Sequence, residues 1–307
     1  MGPVACGRPR RNRFQRRMTR STEARRRWLR ELGILWIVAA MVVMLYGIFV
    51  EPRRLVDRDY TVAIPRWPAA CAGLRLDQVS DLHTGSPGNG IANLDRVVAR
   101  LANGDSDAVV MTGDYVILSV LGGSYIPAAV SAPHLRVLTQ RKPVYAVLGN
   151  HDWWKGGPEV RRALEAVGVV VLEDEARRVT VRGCPLWIVG VGDLWTTKHD
   201  VGKAFARVDD DAPAIVLTHN PAIFPRIPAR ASLVLAGHTH GGQISLPGIG
   251  QPAQWGKPEN RYIRGVYQEG DRRLFVSSGI GTSILPMRLG VPPEISRLRL
   301  VGATKPR

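Results

Sequence analysis

Five short blocks of the 307-residue chain carry residue types that hold divalent metals: Asp81-Leu82-His83, Gly113-Asp114, Gly149-Asn150-His151-Asp152, His219-Asn220-Pro221 and Gly237-His238-Thr239-His240. They contain five of the seven histidines and no cysteine. Imidazole nitrogens beside carboxylate and amide oxygens suit Mn, Fe or Zn ions better than Cu(I) or a cysteine-bound structural zinc. Singly, each block has a plain alternative. An Asp-x-His pair arises often by chance, Gly-Asp and Asn150 suit turns, and Asp152 suits a helix N-cap. Their gathering at the ends of apolar runs is what argues for a site.

Those runs are the elements that must position the blocks. Residues 74–79 alternate apolar and polar, and residues 108–111, 144–148, 214–217 and 233–235 are short apolar stretches, all read as strands. In extended backbone, residues i and i+2 share a side. Asp81 is therefore expected to converge with His83, and His238 with His240. Gly113, Gly149 and Gly237 each precede a candidate ligand and permit sharp turns. Residues 91–101 have helical spacing, and residues 158–167 open with proline in a first helical turn. Three short strands fill 169–191, with further strands at 273–276 and 295–300. Strands mixed with helices predict an α/β fold, with the ligand crevice at the strand carboxyl ends.

The ordered set of five blocks resembles the calcineurin-like metallophosphoesterases over about residues 73–303. That resemblance implies a sandwich of two mixed sheets flanked by helices, and a centre with two divalent metal ions. One metal would take Asp81, His83, Asp114 and His240; the other would take Asp114, Asn150, His219 and His238. Two such ions about 3.5–4 Å apart repel, and the bridging Asp114 carboxylate offsets that repulsion. A hydroxide between the metals would attack phosphorus. The resemblance makes His151 the donor to a phosphate oxygen or leaving group, and Asp152 the carboxylate that orients its imidazole. Residues 237–247, 274–290 and 291–295 are similar to membrane-anchored bacterial phosphodiesterases, a branch akin to the enzymes that hydrolyse UDP-2,3-diacylglucosamine in lipid A synthesis.

The expected activity is thus that of a phosphohydrolase, either a phosphodiesterase or a pyrophosphatase. Its substrate is a phosphoester, with a lipid-linked one compatible. UDP-2,3-diacylglucosamine diphosphatase is one alternative. A metal-stabilised scaffold without turnover is another, weakened by the complete set of blocks. Substrate contacts are sought at Trp153, Trp154 and the 245–264 loop, with Trp255, Lys257, Asn260, Arg261 and Tyr262; packed aromatics on a solvated loop are the plainer reading there. The apolar 115–142 segment reads as core or a partly buried insertion. His134 and His199 are expected to be structural.

The net charge of +16 invites a nucleic-acid reading until it is mapped. Residues 1–32 hold eleven Arg, no Lys and two Glu, so nine of those charges sit in a tenth of the chain. An uncharged apolar run follows at 33–50, nearly long enough to cross a hydrocarbon core of about 30 Å. The arginine-rich leader faces the cytoplasm by the positive-inside rule. This predicts a single-pass protein of a bacterial inner membrane, with its catalytic domain extracytoplasmic, membrane lipids as partners and no nucleic acid. Residues 24–30 resemble a twin-arginine export signal, and no small-x-small cleavage site follows the apolar run. The lipid A reading fits that side poorly, because UDP-diacylglucosamine is a cytoplasmic product. Residues 51–72, with three prolines, read as a linker; residues 73–303 as one catalytic domain; residues 304–307 as a tail. Three cysteines make no disulfide framework. Cys71 and Cys184 can pair in an oxidising compartment, but nothing in the sequence requires it.

Overall fold

The structure is a computed structural model. It describes residue 2 and residues 13–196, 199–252 and 261–303, with backbone alone over 13–24. The expected tail at 304–307 lies outside the described residues. The chain divides into two units, residues 1–46 and 47–307.

In the first unit, Arg13–Leu45 is a helix. Apolar side chains are exposed around its second half, Trp36 at 75% and Ile37 at 68% among them. A helix apolar all round belongs in a non-aqueous setting. Arg25–Arg53 is long and apolar enough to cross a membrane by length and composition, with a mean hydropathy of 2.5 in its most apolar window.

In the second unit, apolar runs with β-branched residues form two sheets of six strands each. The strands are β1 (Val56–Ile64), β2 (Leu74–Val79), β3 (Ala108–Thr112), β4 (Val144–Val147), β5 (Val170–Val171), β6 (Glu175–Val181), β7 (Cys184–Gly190), β8 (Ala214–Leu217), β9 (Ala231–Ala236), β10 (Gly265–Glu269), β11 (Arg272–Val276) and β12 (Glu294–Gly302). The first sheet runs β1-β12-β2-β3-β4-β5 and the second β10-β11-β9-β8-β7-β6. Both are mixed: β2 to β5 are parallel, as are β7, β8, β9 and β11, while β12 opposes β2 and β6 opposes β7.

One apolar cluster lies between the sheets, where Leu76, Val110 and Val147 meet Ile188, Leu217, Leu235 and Phe275. A second packs the first sheet against the helices Ile91–Asn103 and Gly157–Glu165 through Val97, Leu101, Val160 and Leu164. The third covers the outer face of the second sheet around Trp187, Phe224 and Tyr262. Gln78 ties the sheets together from inside, its amide donating to the Ala236 carbonyl at 2.9 Å. Cys71 and Cys184, 113 residues apart, form a buried disulfide. In the chain-entropy picture, closing a loop of about 100 residues is worth about 4–5 kcal/mol.

The reading of 51–72 as a linker is corrected. Residues 56–64 form β1, paired in parallel with β12 over nine residues. Pro52, Pro65 and Pro68 flank this strand rather than interrupt it. Val62 and Ile64 are fully buried, while Asp57, Arg58, Asp59 and Thr61 are exposed on this edge strand. The apolar 115–142 segment is a loop followed by short helical turns from Ala128 to Thr139.

Candidate metal centre

The carboxyl ends of β2, β3, β4, β8 and β9 meet at one place, and all seven expected ligands are there. Two sets form around Asp114. In the first, His83 Nε2 lies 3.1 Å from His240 Nε2 and 3.5 Å from Asp114 Oδ2, and His240 Nε2 lies 3.4 Å from Asp81 Oδ1. In the second, Asn150 Oδ1 is 3.1 Å from both His219 Nε2 and His238 Nδ1, and His219 Nε2 is 3.3 Å from Asp114 Oδ2. The groups Asp81-His83-His240 and Asp81-Asp114-His219 each have ligand atoms close enough together to hold one ion.

Convergence arises differently from the extended geometry expected. Asp81, His83, Asp114, His238 and His240 all have positive φ, between 39° and 71°. Such backbone is uncommon outside glycine and gathers at functional sites. The blocks turn sharply as they leave their strands, and the turns aim neighbouring ligands at one point. Gly113, at φ 92°, makes such a turn possible: a Cβ there would stand 2.6 Å from the Gly149 nitrogen and 2.8 Å from His219 Nδ1.

The hydrogen-bond partners of the rings divide them into two kinds. His83, His219 and His240 each place Nδ1 against a backbone carbonyl, of Val116 at 3.1 Å, Thr112 at 2.7 Å and Gly281 at 3.3 Å. Nδ1 therefore donates, and Nε2 presents a lone pair to the centre, as in rings that ligate metals. His151 is the reverse. Its Nδ1 accepts the Leu118 N–H at 3.1 Å, so its proton resides on Nε2, 4.0 Å from Asp114 Oδ2. Three rings are thus placed as lone-pair bearers and His151 as a donor, while the fifth, His238, sets Nδ1 against Asn150 Oδ1 at 3.1 Å.

The carboxylates are held by one oxygen each. Asp114 Oδ1 accepts the His151 N–H, leaving Oδ2 to face both sets. Asp81 Oδ2 accepts the His238 N–H, while its buried Oδ1 has no hydrogen-bond partner. A buried carboxylate oxygen without a donor, facing imidazole lone pairs, fits a cation. Burial pushes His83 and His238 down to about 3, lowers His240 and His151, and raises Asp81 to about 6. Burial alone would raise Asp114, but His219 and its neighbours hold it well below the usual carboxylate range. Burial likewise pulls on His219, but Asp114 lifts it to about 10, so its Nε2 carries a proton toward Asp114 that a bound metal would displace to reach the lone pair. Asp114 stays ionised while most of the rings stay neutral, which suits a set of ligands.

The role expected for Asp152 is corrected. Its carboxylate does not orient the His151 ring. It accepts the backbone N–H groups of Gly149 and Asp114 through Oδ2 and of Tyr115 through Oδ1, at 2.8–2.9 Å. Asp152 thus clamps the β3 and β4 turns together, and its place in the helix Asn150–Trp154 points it at the turns. Among the substrate-contact candidates, Trp154 stands at the cleft with its ring 5.6 Å from His151. Trp153 packs against the helix core. Tyr262 is buried against Phe224 and Tyr267, and exposed Arg261 pairs with Glu269. Trp255, Lys257 and Asn260 lie outside the described residues. His134 pairs with Asp95 and His199 with Arg226, both apart from the centre.

Sequence reasoning missed the turn after β7. Asp193 is buried there, with Oδ2 accepting the Trp195 and Thr196 N–H groups, and Trp195 sets its ring 4.4 Å from His238. The signal was available, because Gly192-Asp193 follows β7 as Gly113-Asp114 follows β3. Trp154 and Trp195 flank a cleft of about 440 Å³ whose walls include Leu118, Gln243, Ile284 and Leu285.

A family model described as "Calcineurin-like phosphoesterase" matches residues 74–242. The chain belongs to the calcineurin-like phosphoesterase family. Three relatives illustrate its range. The uncharacterized metallophosphoesterase YkuE of Bacillus subtilis is 29% identical over 256 residues, 82% of this chain and 87% of that one. The phosphodiesterase YaeI of Escherichia coli is 30% identical over 199 residues, 64% of this chain and 70% of its own. A transmembrane protein with metallophosphoesterase domain from Bos taurus is 32% identical over 263 residues, 79% of this chain and 57% of that protein. Family members of this kind are hydrolases of phosphoester bonds that use divalent metals, and the clustered His and Asp residues supply groups that could bind them.

Proposed function

We propose that this chain is a membrane-anchored, metal-dependent phosphodiesterase. The observation that carries the reading is the split among the rings: lone pairs from His83, His219 and His240, and an Nε2–H from His151. Asp81, His83, Asp114 and His240 would hold one divalent ion, and Asp114, Asn150, His219 and His238 a second. Bound there, the two ions would supply Lewis acidity at phosphoryl oxygens and a water acidic enough to attack near neutral pH.

This chain's own groups do the rest. Asp114 keeps Oδ2 turned to both sets because Oδ1 is tied to the His151 N–H. Asp152 holds the two turns in register. Water adds to phosphorus, the bond to the leaving oxygen breaks, and His151 Nε2–H is the donor for charge building on that oxygen or on the phosphoryl group. With Nδ1 engaged by the Leu118 N–H, His151 works as a neutral hydrogen-bond donor.

A diester is favoured over a diphosphate. Among the described residues, the cleft is lined by neutral polar groups, aromatics and aliphatics around the ligands, with no Lys or Arg to meet a second phosphate. The lipid A diphosphatase reading loses ground on that observation. The arginine-rich leader and the Cys71–Cys184 disulfide support an extracytoplasmic catalytic unit.

The test is turnover of bis-p-nitrophenyl phosphate by the full chain in detergent, with Mn²⁺ or Zn²⁺ added back after chelation. Metal-dependent turnover that His151→Ala depresses supports the proposal. Unchanged turnover in that variant, or no turnover with any divalent ion, overturns it. A carboxyl-terminal reporter fusion tests the side.

A further inference from the structure

Beside the cleft that Trp154 and Trp195 flank, a tip formed by two loops presents aliphatic side chains to solvent. Ile284 is 77% exposed, Leu121 74% and Leu285 51%. Exposure of one such residue needs no explanation, but a contiguous group beside a polar cleft does. This tip is built rather than loose. Ile284 has φ of 64°, a conformation costly for a β-branched residue, and such strain persists only where surroundings enforce it. The surroundings are on both sides. Val120 and Ile284 form an isolated parallel bridge. Gln243 accepts the Ser283 N–H through its side-chain oxygen at 2.7 Å and donates to the Leu285 carbonyl at 3.3 Å.

The same loop receives the chain where it enters the second unit. The Gly47 carbonyl accepts the Arg288 N–H at 2.9 Å, and the Gly47 backbone lies against Met287 so closely that a Cβ there would fall 2.6 Å from Met287 Cε. The Arg288 guanidinium is fully buried and donates to the carbonyls of Ser278, Gly281 and Val291, which anchors the loop. From Arg288 to Ile284 is four peptide steps, at most about 15 Å. Whatever the tilt of the preceding span, the aliphatic tip stays within that reach of Arg288, which is hydrogen-bonded to Gly47 near the end of the apolar run 33–50.

We propose that the tip of Leu121, Ile284 and Leu285 dips into the lipid headgroup layer, so that the metal cleft beside it opens onto the bilayer surface and takes phosphodiesters presented there. Three apolar side chains inserted into the headgroup and acyl boundary would lie about 5–10 Å deep. The inference rests on the proposed span and gives the proposed phosphodiesterase a substrate class.

The experiment reads contact with lipid directly, without turnover. Full-length chain with Cys6→Ser receives a single new cysteine, Leu121→Cys or Leu285→Cys. A control has Asp271→Cys, on the exposed turn between β10 and β11 at the far end of the second sheet. Each is labelled with an environment-sensitive fluorophore and reconstituted into phosphatidylcholine–phosphatidylglycerol vesicles. A thermal transition matching that of the unlabelled chain verifies folding. The expected result is a blue shift at both tip positions but not at Asp271→Cys, and loss of roughly half the tip emission with doxyl-labelled lipid. Tip and control spectra that stay alike and water-like would overturn the proposal. So would a tip shift that appears in detergent without lipid and grows with protein concentration, which would mark a second copy of the chain as the occupant. Failure of the chain to enter vesicles at all would remove the span, and this proposal with it, while leaving the phosphodiesterase reading to its own assay.

Discussion

At the floor of the cleft, Asp81, His83, Asp114 and His219 are at most 2% exposed, and each is held by the backbone of a neighbouring turn. On its walls, Trp195, Ile284 and Leu285 are all more than half exposed and come from loops remote in sequence. The floor concentrates charge and lone pairs where water is scarce, so small displacements there are costly. The walls offer apolar surface and little charge. Under the proposed function, the difference assigns bond breaking to the buried turns and choice of substrate to the exposed loops.

Substitutions should obey that division. The largest effect is expected at Asp114→Ala, the residue common to both sets. Bound metal should fall below two ions per chain, and turnover should drop by more than the roughly 10–100-fold typical of groups that merely support a ligand. Elemental analysis beside the diester assay checks this; full metal content with full turnover would break the comparison on its floor side. Next is His151→Ala, expected to lower kcat by about 10²–10³-fold, the usual cost of removing one donor from developing charge. Its metal content should stay that of the parent, because its Nε2 carries a proton rather than a lone pair. Loss of metal in this variant would reassign His151 as a ligand.

The walls should answer more weakly. Trp195→Ala and Trp154→Ala remove ring surface worth about 0.5–1.5 kcal/mol in an aromatic pairing. Aryl diesters should therefore show KM raised roughly 2- to 10-fold, with kcat little altered. A collapse of kcat instead would place these rings in the chemistry.

The smallest effect concerns a buried carboxylate outside the centre. Glu173 accepts the Leu148 N–H through Oε1, its Oε2 is buried without a partner, and burial pushes its carboxyl up to about 8. Ionising it costs the folded state more than the unfolded chain. Its contribution to stability is full below the ordinary value of 4.5 and is lost as pH rises through about 8. Glu173→Gln should match the parent below about pH 4.5 and gain about 2–4 °C in Tm above about pH 8. Thermal melts across that window check the sign. The contrast with Asp81 is instructive: there the partnerless oxygen faces imidazole lone pairs, and here it faces none.

The floor was legible in the sequence because residue type alone declares its chemistry, and because apolar runs mark the strands that deliver it. Leu74–Val79 and Ala214–Leu217 form where hydrophobic patterning predicts. The backbone geometry was less legible. Extended spacing would have brought Asp81 to His83, yet positive-φ turns do so. The role of Asp152 could not be read from its place beside His151, since two of its partners, the Asp114 and Tyr115 N–H groups, lie 38 and 37 residues away. The strand β1 was hidden by prolines at both its ends. Walls were least legible. Gln243 clamps Ser283 across 40 residues, and nothing local in either segment announces the contact.

The central claim is that Asp114 joins two cation sets at one place. Electron paramagnetic resonance of the full chain loaded with Mn²⁺ tests it most directly. A spin-coupled spectrum at two ions per chain, replaced by that of isolated ions in Asp114→Asn, is the predicted result. Isolated Mn²⁺ at every loading of the parent chain would contradict it.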